Sequence, residues 1–235
     1  MNADGPIVVV KVGGSLLDWP GLGPALRRFL DRRISRDDRP VLVVGGGGAA
    51  DWVRDLDRIH GLGESAAHLL AIRSLDLTAH ALARLVPGLE VAESAADLSP
   101  VWRSGLTPIL APRRMLDADD LSSSSAALPH SWDVTSDAIS ARLAVLLGAG
   151  ELVLLKSVSV APRVTPEEAT RAGIVDRAFT EASRWVPSIL VVNLRDDLAE
   201  GTRLTDRIDE RVGPGPSGGE TVPDTVFGSR APPRN

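Results

Sequence analysis

Short apolar runs alternate along this chain with stretches whose apolar residues recur every three or four positions. Ile7–Val12 and Pro40–Val44 are rich in branched aliphatics without alternation, the pattern of strands buried on both faces. Each runs into glycine: Gly13-Gly14 after the first, Gly45-Gly46-Gly47-Gly48 after the second. Each is then followed by helical spacing. Leu22, Leu26, Phe29 and Leu30 mark Trp19–Arg33, and Trp52, Val53, Leu56 and Ile59 mark one face of Ala49–Ile59. Strand, glycine turn and helix, twice over, predict a parallel α/β sheet with ligands beyond the carboxyl ends of its strands.

The pattern continues downstream. Glu64–Leu85 predicts a long helix, with Ala67, Leu70, Ala71, Leu75, Thr78 and Leu82 at helical spacing and Pro87-Gly88 as its stop. Leu89–Ala92 and Leu106–Ala111 read as strands, and polar Asp117–Ser125 as a mobile loop. Ser131–Gly148 reads as a loop opening a helix, Glu151–Leu155 as a strand, and Ala161–Glu168 as a loop with two prolines. Ala178–Trp185 follows as a short helix, Ser188–Val192 as a strand and Gly201–Thr205 as a last edge strand. From Gly213 onward Gly, Pro and Ser dominate, which predicts one domain over residues 1–212 and a disordered tail over 213–235.

Composition narrows the function classes. The formal net charge of −5 gives no footprint for nucleic acid or an anionic membrane surface. Without cysteine, disulfides, thiolate metal sites and cysteine nucleophiles are excluded. Lys11 and two glycines interrupt Ile7–Leu17, so it reads neither as a signal segment nor as a membrane span, and the expected compartment is the cytoplasm. Tyrosine is absent and aromatics are scarce, so aliphatic side chains must fill the core.

The candidate chemistry begins with the basic residues. Of 26, only Lys11 and Lys156 are lysine, and both close apolar runs. Lysine differs from arginine most where a compact, flexible point charge is needed. Lys11, at the mouth of the Gly13-Gly14-Ser15 turn and its bare N–H groups, suits an anion, most simply phosphate. The turn Gly45–Gly48 adds a second close-approach loop at a helix N-terminus. Neither turn matches a Walker A loop or a dinucleotide fingerprint. Asp133, Thr135 and Asp137 gather at a helix start, where capping accounts for one or two of them and a carboxylate could also orient a lysine or carry magnesium through water. His60, His68 and His80 read as core or surface residues, and no side chain is assigned to a metal. Asp76, two turns beyond His68, is expected to face solvent or a neighbouring subunit.

These motifs, in this order, resemble the amino acid kinase superfamily, which includes acetylglutamate, uridylate, isopentenyl phosphate and aspartate kinases. The likeness runs from about Ile7 to Asp206. It rests on Val9-Val10-Lys11-Val12-Gly13-Gly14-Ser15-Leu16, on Val43-Val44 with Gly45–Gly48, on Asp133–Ile139, on Leu152–Val158, and on Gly201-Thr202-Arg203-Leu204. The segments Ala67–Asp76 and Pro129–Asp137 are most similar to the small kinases of methanofuran-type cofactor synthesis, which convert (5-(aminomethyl)furan-3-yl)methyl phosphate to the diphosphate.

The resemblance implies a three-layer αβα sandwich around a mainly parallel sheet. It implies a phosphoryl acceptor bound by about residues 7–130 and ATP with Mg2+ bound by about 131–212. Lys11 matches the phosphate-bridging lysine, Gly13, Gly14, Gly46 and Gly47 the backbone donors to phosphoryl groups, and Asp137 the aspartate that positions the lysines. Ser15, Gly45, Asp133 and Thr135 complete the expected acceptor and phosphate set, and Lys156, Ser157, Asp176 and Arg177 the expected ATP set. The chain departs from the superfamily at Lys156–Val160, where Thr/Ser-Asp is usual, and lacks the later glycine-rich segment with a second lysine. Lys156 or Arg177 is expected to replace that charge, with pairing of Lys156 to a carboxylate such as Asp176 as the alternative. The partner expected is a small-molecule acceptor in a homo-oligomer. A small carboxylate or another monophosphate as acceptor, and a nucleotide-binding or storage module without turnover, are the rival readings.

Overall fold

The computed structural model describes residues 5–35, 37–122, 127–196 and 200–205. The tail expected from Gly213 lies outside the described residues.

Strands β1 (Ile7–Val12), β2 (Arg39–Val44), β3 (Leu89–Ala92), β4 (Thr107–Leu110), β5 (Glu151–Lys156), β6 (Ile189–Asn193) and β7 (Thr202–Leu204) form one sheet, in the order β3-β4-β2-β1-β5-β6-β7. All neighbouring pairs are parallel except β6 with β7, which is antiparallel at the edge. The helices are α1 (Leu22–Arg33), α2 (Gly47–His60), α3 (Glu64–Leu85), α4 (Ala95–Arg103), α5 (Arg113–Leu121), α6 (Ser136–Leu146), α7 (Pro166–Arg171) and α8 (Phe179–Ser183).

Strand parity divides the core into two layers. Val8, Val10 and Val12, with Leu42, Val153 and Leu155, face Leu26 and Leu30 of α1. Val9, Val41, Leu152 and Leu154 face α6 through Ala138, Ile139 and Leu143. The sheet is therefore covered on both faces, as the αβα expectation requires. Lys11 has the parity of Val9, and Lys156 that of Leu154, so both lysines stand on the α6 face. Lys11 pairs in register with Leu154, two residues before Lys156. From β1 the chain winds to one side through β2, β4 and β3, then returns to the other side at β5. The crevice between the carboxyl ends of β1 and β5 is thus the topological switch point, the usual ligand position in such sheets.

Several expectations are corrected. Gly47 and Gly48 belong to the first turn of α2, not to the loop before it. On α2 only Val53 is fully buried, whereas Trp52 and Ile59 are 64% and 60% exposed, because the helix packs mainly on α3 and never reaches the sheet core. Asp117–Leu121, read as a loop, is helical in α5. Arg142 holds Asp119 there in a buried bidentate pair at 2.8 and 2.6 Å, and Asp76 caps the helix by accepting from the Arg113 amide at 3.2 Å. Asp76 therefore meets α5 through Arg113, with 23% of its side chain still exposed. Helix α4 was not anticipated, although Ser94 and Asp97 form a capping box. Pro166–Glu168, read as loop, opens α7 behind the capping box of Thr165 and Glu168.

Candidate active site

The centre of the site is a carboxylate between two ammonium groups. Lys11 Nζ donates to Asp137 Oδ1 at 2.7 Å, and Lys156 Nζ donates to Asp137 Oδ1 and Oδ2 at 2.8 and 2.7 Å. Lys11 and Asp137 are buried, at 3% and 5% exposure, and the Lys156 side chain keeps 13%. Asp137 lies in the first turn of α6, where the helix dipole favours negative charge. Burial pushes its carboxyl upward, but the Lys11 and Lys156 ammonium groups outweigh it and hold the group below the usual carboxylate range. Burial and the neighbouring Lys11 charge pull Lys156 below the usual lysine range, against the attraction of Asp137.

Two glycine turns border this centre. A Cβ on Gly14 would stand 2.6 Å from the Gly47 nitrogen, so the turns approach each other too closely for side chains. Two glycines of the expected phosphate set spend their N–H groups inside the protein. Gly13 N–H goes to the Leu155 carbonyl at 2.9 Å, and Gly45 N–H to Val12 at 2.9 Å. At the α2 N-terminus, Gly46 is the N-cap and Gly47 and Gly48 begin the helix, so their N–H groups have no intrahelical acceptor. Ser15 reaches across to Ser157, Oγ to Oγ at 3.2 Å, linking the β1 turn to the end of β5.

Beside the α2 turn lies a pocket of about 220 Å3, walled by Gly47, Arg54, His68, Ile72, Trp132 and Ile139. Arg54 stacks on Trp132 at 4.7 Å and pairs with Asp51 at 2.6 Å. Trp132 is fixed by Asp57, which accepts from Nε1 at 2.9 Å, and by Glu64, which accepts from its amide at 3.1 Å. Arg54 was missed from sequence. It lies seven residues after Gly47, two helical turns on along the same face, and that spacing was the available signal.

The remaining expected residues are split. Thr135 lines the pocket and gives Asp176 Oδ2 both its amide and its hydroxyl, at 3.0 and 2.6 Å. Ala138 N donates to the same oxygen at 3.0 Å, while Asp176 Oδ1 is buried without a partner among the described residues. Burial pushes Asp176 upward, and the Thr135 hydroxyl opposes it. Arg177 and Asp133 form an exposed pair at 3.2 Å. Lys156 thus pairs with Asp137, not with Asp176.

Among the described residues no group of three or more His, Cys, Asp or Glu is arranged to hold a metal ion, and no helix is long and apolar enough to cross a membrane.

A curated relative, [5-(aminomethyl)furan-3-yl]methyl phosphate kinase of Methanocaldococcus jannaschii, is 29% identical over 151 residues, 64% of this chain and 65% of that protein. The alignment thus spans just under two thirds of the relative. Among solved structures, the uridylate kinase of Archaeoglobus fulgidus superposes with a TM-score of 0.55 at 16% identity, covering 84% of this chain and 99% of that one. The UMP kinase of Ureaplasma parvum gives 0.60 at 13% identity, covering 86% and 97%. Residues 6–161 match the amino acid kinase family, and the chain belongs to that family.

Proposed function

We propose that this chain is an ATP-dependent kinase that transfers the γ-phosphoryl group to the phosphate of a small phosphomonoester, giving a diphosphate. One observation carries this reading: Lys11 and Lys156 both bond the buried Asp137 at the switch-point crevice, between two glycine turns. Phosphoryl transfer asks for positioning and for cationic stabilisation of the transferred group, and little covalent chemistry. The two ammonium groups supply that charge. Asp137, kept ionised between them, holds their spacing and is in no state to accept a proton. An acceptor here must therefore bring its own anionic nucleophile, as a phosphate or carboxylate does and an alcohol does not. The free N–H groups of Gly46–Gly48 and the Arg54 guanidinium beside the pocket favour phosphate.

The pocket's modest volume suits a single small ring better than a nucleotide. We take the acceptor to be (5-(aminomethyl)furan-3-yl)methyl phosphate, as the name of the M. jannaschii relative has it. This would place the chain in C1-carrier cofactor biosynthesis. In this reading about residues 7–130 hold the acceptor and about 131–212 the nucleotide, with Lys156, Ser157 and Asp176 at the nucleotide edge. Mg2+ would enter on the nucleotide's phosphates, which need few protein carboxylates. The buried Asp176 Oδ1, unpartnered among the described residues, would hold a water of its shell, and the ion would neutralise charge on the β- and γ-phosphates. A homo-oligomer is the expected assembly, with exposed Trp52 and Ile59 of α2 as the face to cover, and sedimentation of the full chain checks it.

The test is ADP release with a panel containing this furan phosphate, UMP and small carboxylates, with 31P NMR identifying the product. Diphosphate formed from the furan phosphate alone supports the proposal. Turnover of a carboxylate or UMP instead moves the acceptor, and nucleotide binding without ADP release from any acceptor would mean a non-catalytic module.

A further inference from the structure

The far wall of the acceptor pocket carries one polar group that phosphoryl transfer does not use. His68 is 3% exposed and lines the pocket. Its Nδ1 lies 3.1 Å from the Ser131 carbonyl. A carbonyl can only accept, so Nδ1 carries the proton. The ring stacks on His130, with centroids 5.3 Å apart at 19°. His130 is itself fixed between Asp120 at 2.9 Å and Ser65 at 3.3 Å. Burial first, and the neighbouring His130 second, hold His68 below the usual histidine range and so keep it neutral. In a neutral ring protonated at Nδ1, Nε2 is an acceptor. Among the described residues no protein donor reaches it, and it is not a buried orphan, so it is left to a donor from a molecule in the pocket that His68 lines.

The placement of His68 gives the missing partner a length. His68 and Ser74 lie on α3, and Ser74 packs against Gly46 at the phosphate-binding turn. Ser74 lies six helical positions after His68, about 9 Å along the axis. Between them the wall is apolar, with Ala71, Ile72 and Leu75 from α3 and Ile139 from α6. The pocket thus suits a molecule with phosphate at one end, a flat or apolar middle, and a hydrogen-bond donor at the other. The carboxylates of Glu64 and Asp120 act on His68 electrostatically, and they favour a cationic donor over a neutral one.

We infer that His68 Nε2 recognises a primary amine at the end of the acceptor opposite its phosphate, and so selects amine-bearing phosphomonoesters. The inference rests on the reading of this pocket as an acceptor site for phosphomonoesters. His68 acts on specificity and not on the transferred group.

The experiment compares (5-(aminomethyl)furan-3-yl)methyl phosphate with its 5-methyl counterpart, which lacks the amine. Both are measured by kcat/KM and by calorimetric binding to the full chain. Wild type is expected to prefer the amine by about tenfold or more, since a site built around a hydrogen bond rejects the analogue that cannot make it. His68→Asn keeps an amide N–H for the Ser131 carbonyl but cannot reach the Nε2 position. Its preference should fall to within about twofold, with KM for ATP and Tm unchanged. His68→Gln, whose carbonyl does reach, should keep part of the preference. A purely structural histidine would lower Tm and leave the ratio intact, and an undiminished ratio in His68→Asn overturns the inference. Should wild type release no ADP with either compound, the kinase reading fails, and the calorimetric ratio alone then decides. An amine preference lost in His68→Asn upholds the recognition role, whereas equal binding or none rejects it.

Discussion

Two buried carboxylates flank the start of α6, and they behave oppositely. Asp137 sits in the first helical turn with an ammonium on either side. Asp176 sits just outside the helix and, among the described residues, accepts only from the neutral Thr135 and Ala138 donors and leaves Oδ1 unpartnered. Burial acts upward on both. Only at Asp137 is it overcome, because two full positive charges lie within 2.8 Å. Proximity to a helix N-terminus does not by itself fix a carboxylate's role. Asp137 is an electrostatic spacer in a row of charges that sums to one positive, ready for an incoming polyphosphate. Asp176 is a cap that keeps the loop bearing Asp133 and Thr135 seated on the helix.

The largest expected effect comes from removing a charge on the Asp137 side. Lys11→Met should lower kcat by about 100-fold or more, the cost of losing a preorganised group at the transferring centre. Steady-state ADP release measures it, and a wild-type kcat would end the kinase assignment. Asp137→Asn leaves two ammonium groups facing each other without their counter-ion. Breaking a buried charge cluster in this way costs on the order of 3–5 kcal/mol, read as the denaturant midpoint times its slope. The sign with pH follows from the lowered carboxyl. Asp137 contributes its stability above the unfolded value of 3.8 and loses it as pH falls through the lowered folded value. The deficit of Asp137→Asn should therefore be full near neutrality and shrink in acid.

Lys156→Met comes next, with kcat and kcat/KM expected to fall together by about tenfold or more, as for a contact made mainly in the transition state. A kcat within about twofold of wild type, under ~0.5 kcal/mol, would limit Lys156 to holding Asp137 in place.

Strands β1, β2 and β5 were legible because they are short aliphatic runs ended by glycine or lysine, and α3 has the span its periodicity gave. The prominence of Lys11 and Lys156 could be read from lysine scarcity alone, and their shared face follows from strand parity. Their meeting at Asp137 could not, because it depends on the register of β1 against β5 and on where α6 crosses them. For the same reason the polar segment Asp117–Leu121 read as loop. What makes it a helix is Arg142 reaching Asp119 from α6 and Asp76 capping it from α3, both distant in sequence. The glycine turns read as built for a ligand, whereas part of their demand comes from one another, as Gly14 against Gly47 shows.

Asp176→Asn gives the smallest expected effect and the sharpest contrast with Asp137→Asn. The asparagine carbonyl can take the place of Oδ2 and keep the donors from Thr135 and Ala138, so only the charge is lost. Because burial raises the Asp176 carboxyl, its ionised form is the less favoured one in the fold. Stability therefore declines as pH rises from the unfolded value of 3.8 to the raised folded value, and is flat above it. The asparagine variant has no such decline. Its stability relative to wild type should improve from pH 4 to pH 7, the reverse of the trend for Asp137→Asn, with a net change within about 1 kcal/mol because the amide NH2 replaces an oxygen that also lacked a partner. Urea unfolding at the two pH values measures it. A loss at pH 7 as large as that of Asp137→Asn would mean that the Asp176 charge is held by a cation, and Lys156, the nearest ammonium that acts on it, would then serve both carboxylates.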